Sequence, residues 1–354
     1  MDLKNNHFSR RDFLRNAAMG AVGVGIGAMG INGFRETFGA DSDTDMLSKS
    51  RVIAVKDIGI ISKSAPDQIR VDKMVDEGMF ALTGKKTTKD AWRCFFTSED
   101  VVGVKINPIG GKLLSTRPEV VNAIIAGLLA AGVKENNIIV WDRFEEHLVS
   151  AGYEVNRGTA GVRYYGTEHT AGYDRDVYYE SHDDDPKLRQ DDGARSLFSR
   201  IVTQQTTAII NVPVMKDHGI AGVTLCLKNI GFGVINNTPR FHSSPYYCDP
   251  ASAEVCAHPA IKNKLRLHIV DALQACFSGG PRPKASNTIW NEEQLFLGTD
   301  PVVIDRIGLD IIDAKRRENR LMPVSQKAKH IVNAGKKGLG KYEMKDIEYI
   351  KLRR

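Results

Sequence analysis

The side chains best suited to chemistry cluster between residues 215 and 229. A predicted strand end delivers Lys216 and His218, a glycine-containing turn follows, and Lys228 and Asn229 lie in the next predicted helix. Backbone N–H groups at a helix N-terminus favour a bound anion. His218 can serve as a general base or metal ligand, and Lys228 can neutralise an anion or act as a nucleophile once desolvated. Each residue alone is better interpreted as structural, but the cluster favours a site.

Polar residues also follow other predicted strands. Lys105 and Asn107 precede a Gly-Gly loop, which has the general form of a phosphate cradle but matches neither nucleotide-binding fingerprint. A structural turn without a ligand explains this segment equally well. Asp271 ends another predicted strand, and Arg282 lies in a stiff Gly/Pro loop where it could clamp a carboxylate. A structural loop is the default interpretation of that segment.

Ligands of open α/β sheets bind beyond the carboxyl ends of the strands, so we expect these groups to converge. The predicted catalytic residues are His218, Lys228 and Asp271. The predicted substrate-binding residues are Lys105, Asn107, Lys216, Asn229 and Arg282. Asp142 is an alternative to Asp271 as the orienting carboxylate or metal ligand. The sequence identifies no metal.

Hydrophobic spacing predicts the elements that position these residues. Strands are predicted at residues 51–55, 100–107, 137–141, 207–214, 266–270, 294–298 and 346–352. Helices are predicted at residues 68–82, 117–132, 300–315 and 326–334, and in part of 221–234. Thr116 and Glu119 have capping-box spacing, and Asp300-Pro301 marks another helix start. Strand, helix and strand over residues 100–141 form a βαβ unit, so we predict an α/β fold with a mostly parallel twisted sheet flanked by helices.

Two stretches depart from this pattern. Residues 156–204 are rich in Tyr, Asp, Gly and His and predict an elaborated insertion, whose acidic block at 182–192 is a solvated loop or a Ca²⁺ site. Residues 236–259 predict a lid over the site. This second stretch contains Cys248 and Cys256, for which a disulfide and free thiols both stay open. The five cysteines include no C-x-x-C pair, so no iron–sulfur cluster is expected.

The N-terminus predicts export. Arg10 and Arg11 precede an uncharged, glycine-rich run at residues 17–31, which is typical of a twin-arginine (Tat) signal peptide. The run is too short and too weakly apolar to span a bilayer, although an anchoring N-terminal helix is an alternative. We therefore expect a signal peptide at 1–40, a single α/β domain at 41–354, and a periplasmic or other extracytoplasmic location. The Tat translocase is the expected partner during export, and no stable membrane insertion is expected.

Charge limits the classes of ligand. The net charge is +6, a mild excess that suits a small anionic molecule. No basic stretch interleaved with aromatic residues is present, and export would separate the protein from nucleic acid, so no nucleic-acid partner is expected.

Several motifs resemble one widespread prokaryotic family, the domain-of-unknown-function family 362. They are VKINP at 104–108, RPEVV at 117–121, KDHGIAGVT at 216–224, LKNIGFG at 227–233, VDA at 270–272, SGGP at 278–281 and TDPVVID at 299–305. The resemblance covers about residues 101–350. It supports the predicted fold and site, and it implies a member that lacks the ferredoxin-like cluster domain of some relatives.

The segment from His218 to Lys228 is also similar to one in the nickel-pincer lactate racemases. That resemblance implies that His218 removes a proton from the substrate and that Lys228 holds the cofactor. The Gly-Gly-Arg-Lys form usual in those enzymes is absent here, because Leu225, Cys226 and Leu227 precede Lys228.

Two functions are consistent with these features. The first is an exported enzyme that acts on a small anionic or polyhydroxylated substrate by His/Lys acid–base chemistry, with or without a metal or cofactor. The second is a non-catalytic periplasmic module that binds a ligand or partners a redox enzyme.

Overall fold

The computed structural model describes residues 49–62, 65–180 and 195–354. The predicted signal peptide and the acidic block at 182–192 lie outside these residues. Within them, no helix is both long and apolar enough to cross a membrane.

The described strands build one large mixed sheet and two small antiparallel pairs. Their bounds are β1 Ser50–Lys56, β2 Ile61–Ser62, β3 Ala65–Pro66, β4 Val102–Ile106, β5 Ile138–Asp142, β6 Arg163–Gly166, β7 Tyr173–Glu180, β8 Arg195–Ser199, β9 Ala208–Val212, β10 Val214–His218, β11 Gly222–Thr224, β12 Leu265–Cys276, β13 Ile289–Gly298 and β14 Ile347–Arg353. The large sheet has the order β14-β1-β13-β12-β9-β4-β5-β6, with β10 joined to β12 and β11 joined to β10. Adjacent strands from β12 to β6 are parallel, whereas β13 is antiparallel to both of its neighbours.

Helices cover both faces of this sheet. Their bounds are α1 Gln68–Thr83, α2 Thr88–Arg93, α3 Pro118–Ala131, α4 Glu145–Ser150, α5 Cys226–Gly233, α6 Ala251–Ala257, α7 Pro259–Lys262, α8 Pro301–Glu318 and α9 Lys329–Lys336. Alternate residues of one strand enter different apolar clusters: Val52 of β1 packs with side chains of α5 and α8, and Ile53 packs with α1, α2 and α3. This alternation follows from the two-residue repeat of a strand. The predicted α/β fold, mostly parallel and flanked by helices, is confirmed.

Two sequence signals of helix ends are confirmed. Asp300 caps α8 by accepting hydrogen bonds from the backbone N–H groups of Val302 and Val303 at 2.9 and 3.1 Å. Gly132 ends α3 with φ = +104°, a conformation that favours glycine. The β4–α3–β5 unit therefore has the predicted order and parallel pairing.

The predicted capping box at Thr116 and Glu119 is wrong. The N-cap residue is Arg117, and no side chain caps α3. Thr116 instead donates its hydroxyl to the carbonyl of Val212 at 2.8 Å and accepts from the backbone N–H of Asn107 at 2.9 Å. These long-range bonds fix the loop after β4 against the end of β9.

Two other elements differ from the sequence prediction. The stretch predicted as helical from residue 221 begins with β11, because Gly222 to Thr224 pair with β10. β12 continues through Asp271 to Cys276, where it pairs with β13 and β10. Asp271 therefore lies inside a strand and not at its carboxyl end.

The stretch predicted as an insertion contains three strands. β6 lies at the edge of the large sheet, and β7 pairs with β8 in a separate antiparallel ribbon. The predicted lid stretch contains α6, and its Phe241 and Cys248 are buried. All five cysteine thiols are free.

Candidate functional site

A cavity of about 170 Å³ lies beyond the carboxyl ends of β4 and β5. Open α/β sheets bind their ligands at this position. Pockets for drug-sized ligands measure about 300–1,000 Å³, so this cavity suits a smaller molecule. Its polar lining consists of Lys105, Asn107, Asp142, Arg143, His147, His218, Thr224, Lys228, Asn229, Thr238 and His242.

Lys105 of β4 and Asp142 of β5 form a buried ion pair. Lys105 Nζ donates to Asp142 Oδ1 at 2.5 Å, to the carbonyl of Ile106 at 2.7 Å and to Asn229 Oδ1 at 3.4 Å. Burial raises the pKa of Asp142, but Lys105 and His147 outweigh that effect and lower it to about 2. Three acceptors thus occupy the three N–H groups of Lys105 and hold the ammonium in place.

Glycine lets α5 approach this ion pair. A Cβ on Gly233 would lie only 2.4 Å from Lys105 Cε, which is closer than Cβ atoms pack. The end of α5 therefore closes over the Lys105 side chain, so Asn229 can reach its ammonium group.

A chain of buried amides connects a second lysine to the sheet. Lys216 Nζ donates to Asn107 Oδ1 at 2.6 Å, Asn107 Nδ2 donates to Asn229 Oδ1 at 2.8 Å, and Asn229 Nδ2 donates to Asn211 Oδ1 at 2.7 Å. Because an ammonium group only donates, the amides must all point the same way. Burial lowers the pKa of Lys216 to about 7.

His218 presents a hydrogen-bond donor to the cavity. Its Nδ1 accepts the backbone N–H groups of Ile220 and Ala221 at 3.2 and 3.1 Å. Nδ1 therefore carries a lone pair, and the proton of the neutral ring lies on Nε2. Burial, reinforced by Lys228 and His242, lowers the pKa of His218 to about 2. The ring is neutral across the physiological range, and its free nitrogen donates.

His242 presents a hydrogen-bond acceptor to the cavity, where His218 presents a donor. Its Nδ1 lies 2.9 Å from the carbonyl oxygen of Thr238, so Nδ1 carries the proton and Nε2 carries the lone pair. The rings of His218 and His242 have centroids 5.9 Å apart. Burial and the nearby Lys228 lower the pKa of His242, which keeps the ring neutral and its Nε2 ready to accept a proton.

Lys228 lies beside these two rings. Its Nζ is 3.5 Å from His242 Nε2 and 4.0 Å from the ring centroid of Phe232. Burial lowers the pKa of Lys228, and the neighbouring thiol of Cys248 opposes that shift. A buried amine is thereby placed next to a proton acceptor.

The rim of the cavity carries a further histidine and an arginine. His147 Nδ1 lies 3.5 Å from Asp142 Oδ2, and Arg282 Nη2 lies 2.8 Å from His147 Nε2. Arg143 also lines the cavity, but its charge is paired with Glu168 at 3.0 Å. Arg282 is exposed and, among the described residues, forms no ion pair with a carboxylate, so its charge is available at the rim.

Asp305 of α8 holds the start of α5, the helix that carries Lys228 and Asn229. Its two carboxylate oxygens accept the backbone N–H groups of Cys226 and Leu227 at 2.6 and 2.9 Å. Burial raises the pKa of Asp305 to about 7. The carboxylate therefore caps a neighbouring helix, a role that its position near the start of α8 does not suggest.

Asp305→Ala is expected to lower the free energy of unfolding by about 2–5 kcal/mol, because two buried N–H groups lose their acceptor. Urea denaturation measures this loss. Asp310→Ala on the same helix is the matched control: its exposed ion pair with Arg306 is worth at most about 1 kcal/mol. An Asp305→Ala protein as stable as the control would contradict the capping role.

The structure brings together most of the residues predicted from the sequence. Five of them line the cavity: Lys105, Asn107, His218, Lys228 and Asn229. Lys216 lies directly behind Asn107, and Arg282 reaches the rim through His147. Asp271 is not brought to the cavity: its carboxylate accepts the backbone N–H groups of Arg117 and Leu273 at 2.8 and 3.0 Å. Asp142, the alternative carboxylate, occupies the site instead.

Sequence reasoning missed other residues of the site. Asn211 interrupts an apolar strand, and that interruption was the available signal. His242 lies in the stretch predicted as a lid, but nothing in its spacing indicated a role as proton acceptor. Thr224 also lines the cavity, and its buried hydroxyl has no hydrogen-bond partner among the described residues.

Comparisons with known proteins give the following similarities. The profile of a family described as a domain of unknown function (DUF362) matches residues 102–310, more than half of the chain. No curated protein matches the chain significantly. The lactate racemase apoprotein from Thermoanaerobacterium thermosaccharolyticum is similar at 13% identity and a TM-score of 0.40, over 74% of this chain and 57% of that one. A protein from Thermotoga maritima is similar at 12% identity and a TM-score of 0.33, over 58% of this chain and 50% of that one.

The two resemblances expected from the sequence are thus confirmed as similarities. The chain spans about half the length of the solved structures that it matches. At these identities and TM-scores, neither solved structure carries an argument about activity.

Among the described residues, no group of three His, Cys, Asp or Glu side chains could hold a metal ion. The acid–base groups that line the cavity include Asp142, His147, His218, Lys228 and His242.

Proposed function

This chain belongs to the DUF362 family, and we propose that it is an enzyme that binds a small anion in the cavity and transfers a proton by means of two histidines. The observation that carries the proposal is that one ring presents a hydrogen-bond donor to the cavity and the other presents an acceptor. His218 offers an N–H to the cavity, and His242 offers a lone pair. One donor and one acceptor at this spacing suit the removal of a proton next to a carbonyl group.

Each histidine has a defined part in this reaction. His242 Nε2 accepts the proton from the substrate, and the Thr238 carbonyl stabilises the imidazolium by accepting its Nδ1–H. His218 donates its Nε2–H to the substrate oxygen on which negative charge develops. A neutral imidazole fixed by backbone N–H groups can act in this way without giving up its proton. The acid–base role that the sequence suggested for His218 is therefore reassigned, with His242 as the base.

The charges around the cavity favour an anionic substrate. Lys105 is paired with Asp142, and Arg143 is paired with Glu168, so those charges cancel locally. The remaining positive charge comes from Lys216, behind Asn107, and from Arg282 at the rim. Burial makes the attraction of Lys216 for a carboxylate stronger than it would be in water.

Proton exchange tests the proposal. The purified mature protein is incubated in D₂O with a panel of 2-hydroxy and 2-oxo carboxylates, and ¹H NMR follows the loss of protons next to the carbonyl or hydroxyl carbon. We expect exchange with at least one member of the panel. Binding of these anions without any exchange would favour the alternative, a periplasmic ligand-binding module.

The twin-arginine segment supports an extracytoplasmic site of action. A fusion of residues 1–48 to a reporter that is active only after export tests this part of the proposal. Export should be lost in the Arg10→Lys, Arg11→Lys double variant. A reporter exported equally well by that variant would contradict the Tat assignment.

A further inference from the structure

We propose that Lys228 is a nucleophile that forms an imine with a small 2-oxo acid. This inference rests on the proposed function, since it names a substrate class and a covalent step for the same cavity. It starts from a difference among the three buried lysines of the site.

The other two lysines are held by oxygen acceptors. Lys105 Nζ is fixed by the Asp142 carboxylate and the Ile106 carbonyl, and Lys216 Nζ donates to Asn107 Oδ1. Lys105 has all three of its N–H groups engaged by oxygen acceptors, and Lys216 is fully buried behind Asn107 and does not line the cavity. Both lysines are therefore suited to positioning and to charge.

Lys228 has different neighbours. Its amine contacts His242 Nε2 at 3.5 Å and the face of Phe232 at 4.0 Å, and no carboxylate among the described residues acts on it. The side chain is 6% exposed yet lines the cavity. The ring face favours the ammonium form by about 1–2 kcal/mol. Burial acts in the opposite direction: it lowers the pKa of Lys228 and so favours the free amine over the ammonium form.

The two histidines provide the proton transfers that imine formation needs. The lone pair of Lys228 Nζ adds to the carbonyl carbon while the C=O π electrons move to oxygen, where His218 Nε2–H donates a hydrogen bond. His242 Nε2 takes the proton lost by nitrogen and returns it to that oxygen, which gives a neutral carbinolamine.

Loss of water completes the step. The carbinolamine C–O bond breaks while the nitrogen lone pair forms the C=N bond, and the last N–H proton passes to the departing hydroxyl, which leaves as water. One amine and one carbonyl thus give one imine and one water. No oxidant, reductant or cofactor is required.

A 2-oxo acid fits this cavity better than a neutral carbonyl compound does. Its carbonyl carbon is attacked by Lys228, and its carboxylate is attracted by the excess positive charge of Lys216 and Arg282. The volume of about 170 Å³ suits a molecule of a few carbon atoms. Neutral aldehydes and ketones of equal size lack the second interaction, so they should react more slowly.

Reductive trapping tests the inference. The folded mature protein is incubated at neutral pH with pyruvate and sodium cyanoborohydride, and intact mass spectrometry and peptide mapping locate the adduct. We expect one reduced pyruvate on Lys228, formed at least about tenfold faster than labelling of surface lysines. Acetone at the same concentration serves as the neutral probe and should label Lys228 more slowly.

Two variants are matched to this experiment. Lys228→Arg cannot form an imine, so the adduct should disappear. Lys134→Arg, at an exposed lysine that does not line the cavity, is the control and should keep the adduct on Lys228. Circular dichroism and urea denaturation test whether each variant is folded. Peptide mapping of the wild-type protein locates the adduct independently of the variants.

The outcomes separate the inference from the proposed function. Label spread over surface lysines, with Lys228 unmodified, would overturn the inference. If proton exchange that depends on His242 persists in that case, the two-histidine function stands without the covalent step. If both trapping and exchange are absent, both proposals fail.

Discussion

His242→Gln is expected to lower the rate of proton exchange by about 10²–10⁴-fold, the usual contribution of a positioned acid–base group. The glutamine amide can donate and accept hydrogen bonds, but it cannot take up a proton near neutral pH. The deuterium-exchange NMR assay measures this loss with the substrate that the wild-type protein processes. His169→Asn, at an exposed histidine with φ = +67° that does not line the cavity, is the control and should keep the wild-type rate.

Substitution of His218 should have a different effect. His218→Gln keeps a side-chain N–H donor, so we expect a smaller loss than for His242→Gln. His218→Leu removes the donor and should cost about 10²–10³-fold, as does the loss of one donor to a developing oxyanion. Equal rates for His218→Gln and His242→Gln variants, both folded, would contradict the division of roles.

Acid should destabilise the fold well before ordinary carboxylates are protonated. Burial lowers the pKa of five histidines: that of His242, that of His218 to about 2, that of His258 to about 4, and those of His268 and His330 to about 3. In the unfolded chain these groups titrate near pH 6.5. Below that pH the unfolded state binds more protons than the folded state, so stability falls as the pH falls.

Buried carboxyl groups oppose this trend. Burial raises the pKa of Asp271 to about 6 and that of Asp305 to about 7, and it also raises the pKa of Asp217, Asp249 and Asp300. Each histidine that stays neutral in the folded state contributes about 1.4 kcal/mol per pH unit between roughly pH 6 and pH 4, so we expect the free energy of unfolding to fall over this range.

Urea denaturation at several pH values measures this slope. His330→Leu is the informative variant, because neither ring nitrogen of His330 has a hydrogen-bond partner among the described residues. This substitution should reduce the change in the free energy of unfolding by about 1.4 kcal/mol per pH unit, the contribution of one proton, and leave the fold intact. A wild-type free energy of unfolding that is constant from pH 6 to pH 4 would contradict burial of these rings in the neutral form.

The sequence was sufficient to predict much of the site because the rule for open α/β sheets is geometric. Lys105 and His218 lie at strand ends, and Lys228 lies in the helix that follows, so parallel pairing of the strands brings these side chains together. Asp271 was expected at the end of a strand, but β12 continues past it to Cys276. Strand length there is set by pairing with β13 and β10, which local sequence does not reveal.

The sequence did not predict which ring nitrogen of each histidine donates a hydrogen bond and which accepts one. The His218 ring is oriented by the backbone N–H groups of the turn between β10 and β11, and that turn was expected to open a helix. His242 depends on the path of residues 236–258, a stretch without strand or helix periodicity at its start. Hydrogen-bond direction is a property of tertiary contacts, and a list of residue types does not contain it.

The most direct test of the central claim is the tautomeric state of the two histidines, read from ¹⁵N chemical shifts of the imidazole nitrogens between about pH 5 and pH 9. The His218→Gln and His242→Gln variants assign the signals. We expect a neutral His218 with its proton on Nε2 throughout this range, and a neutral His242 with its proton on Nδ1 at the upper end of the range. A His218 that carries its proton on Nδ1, or that titrates near pH 6.5, would contradict this expectation.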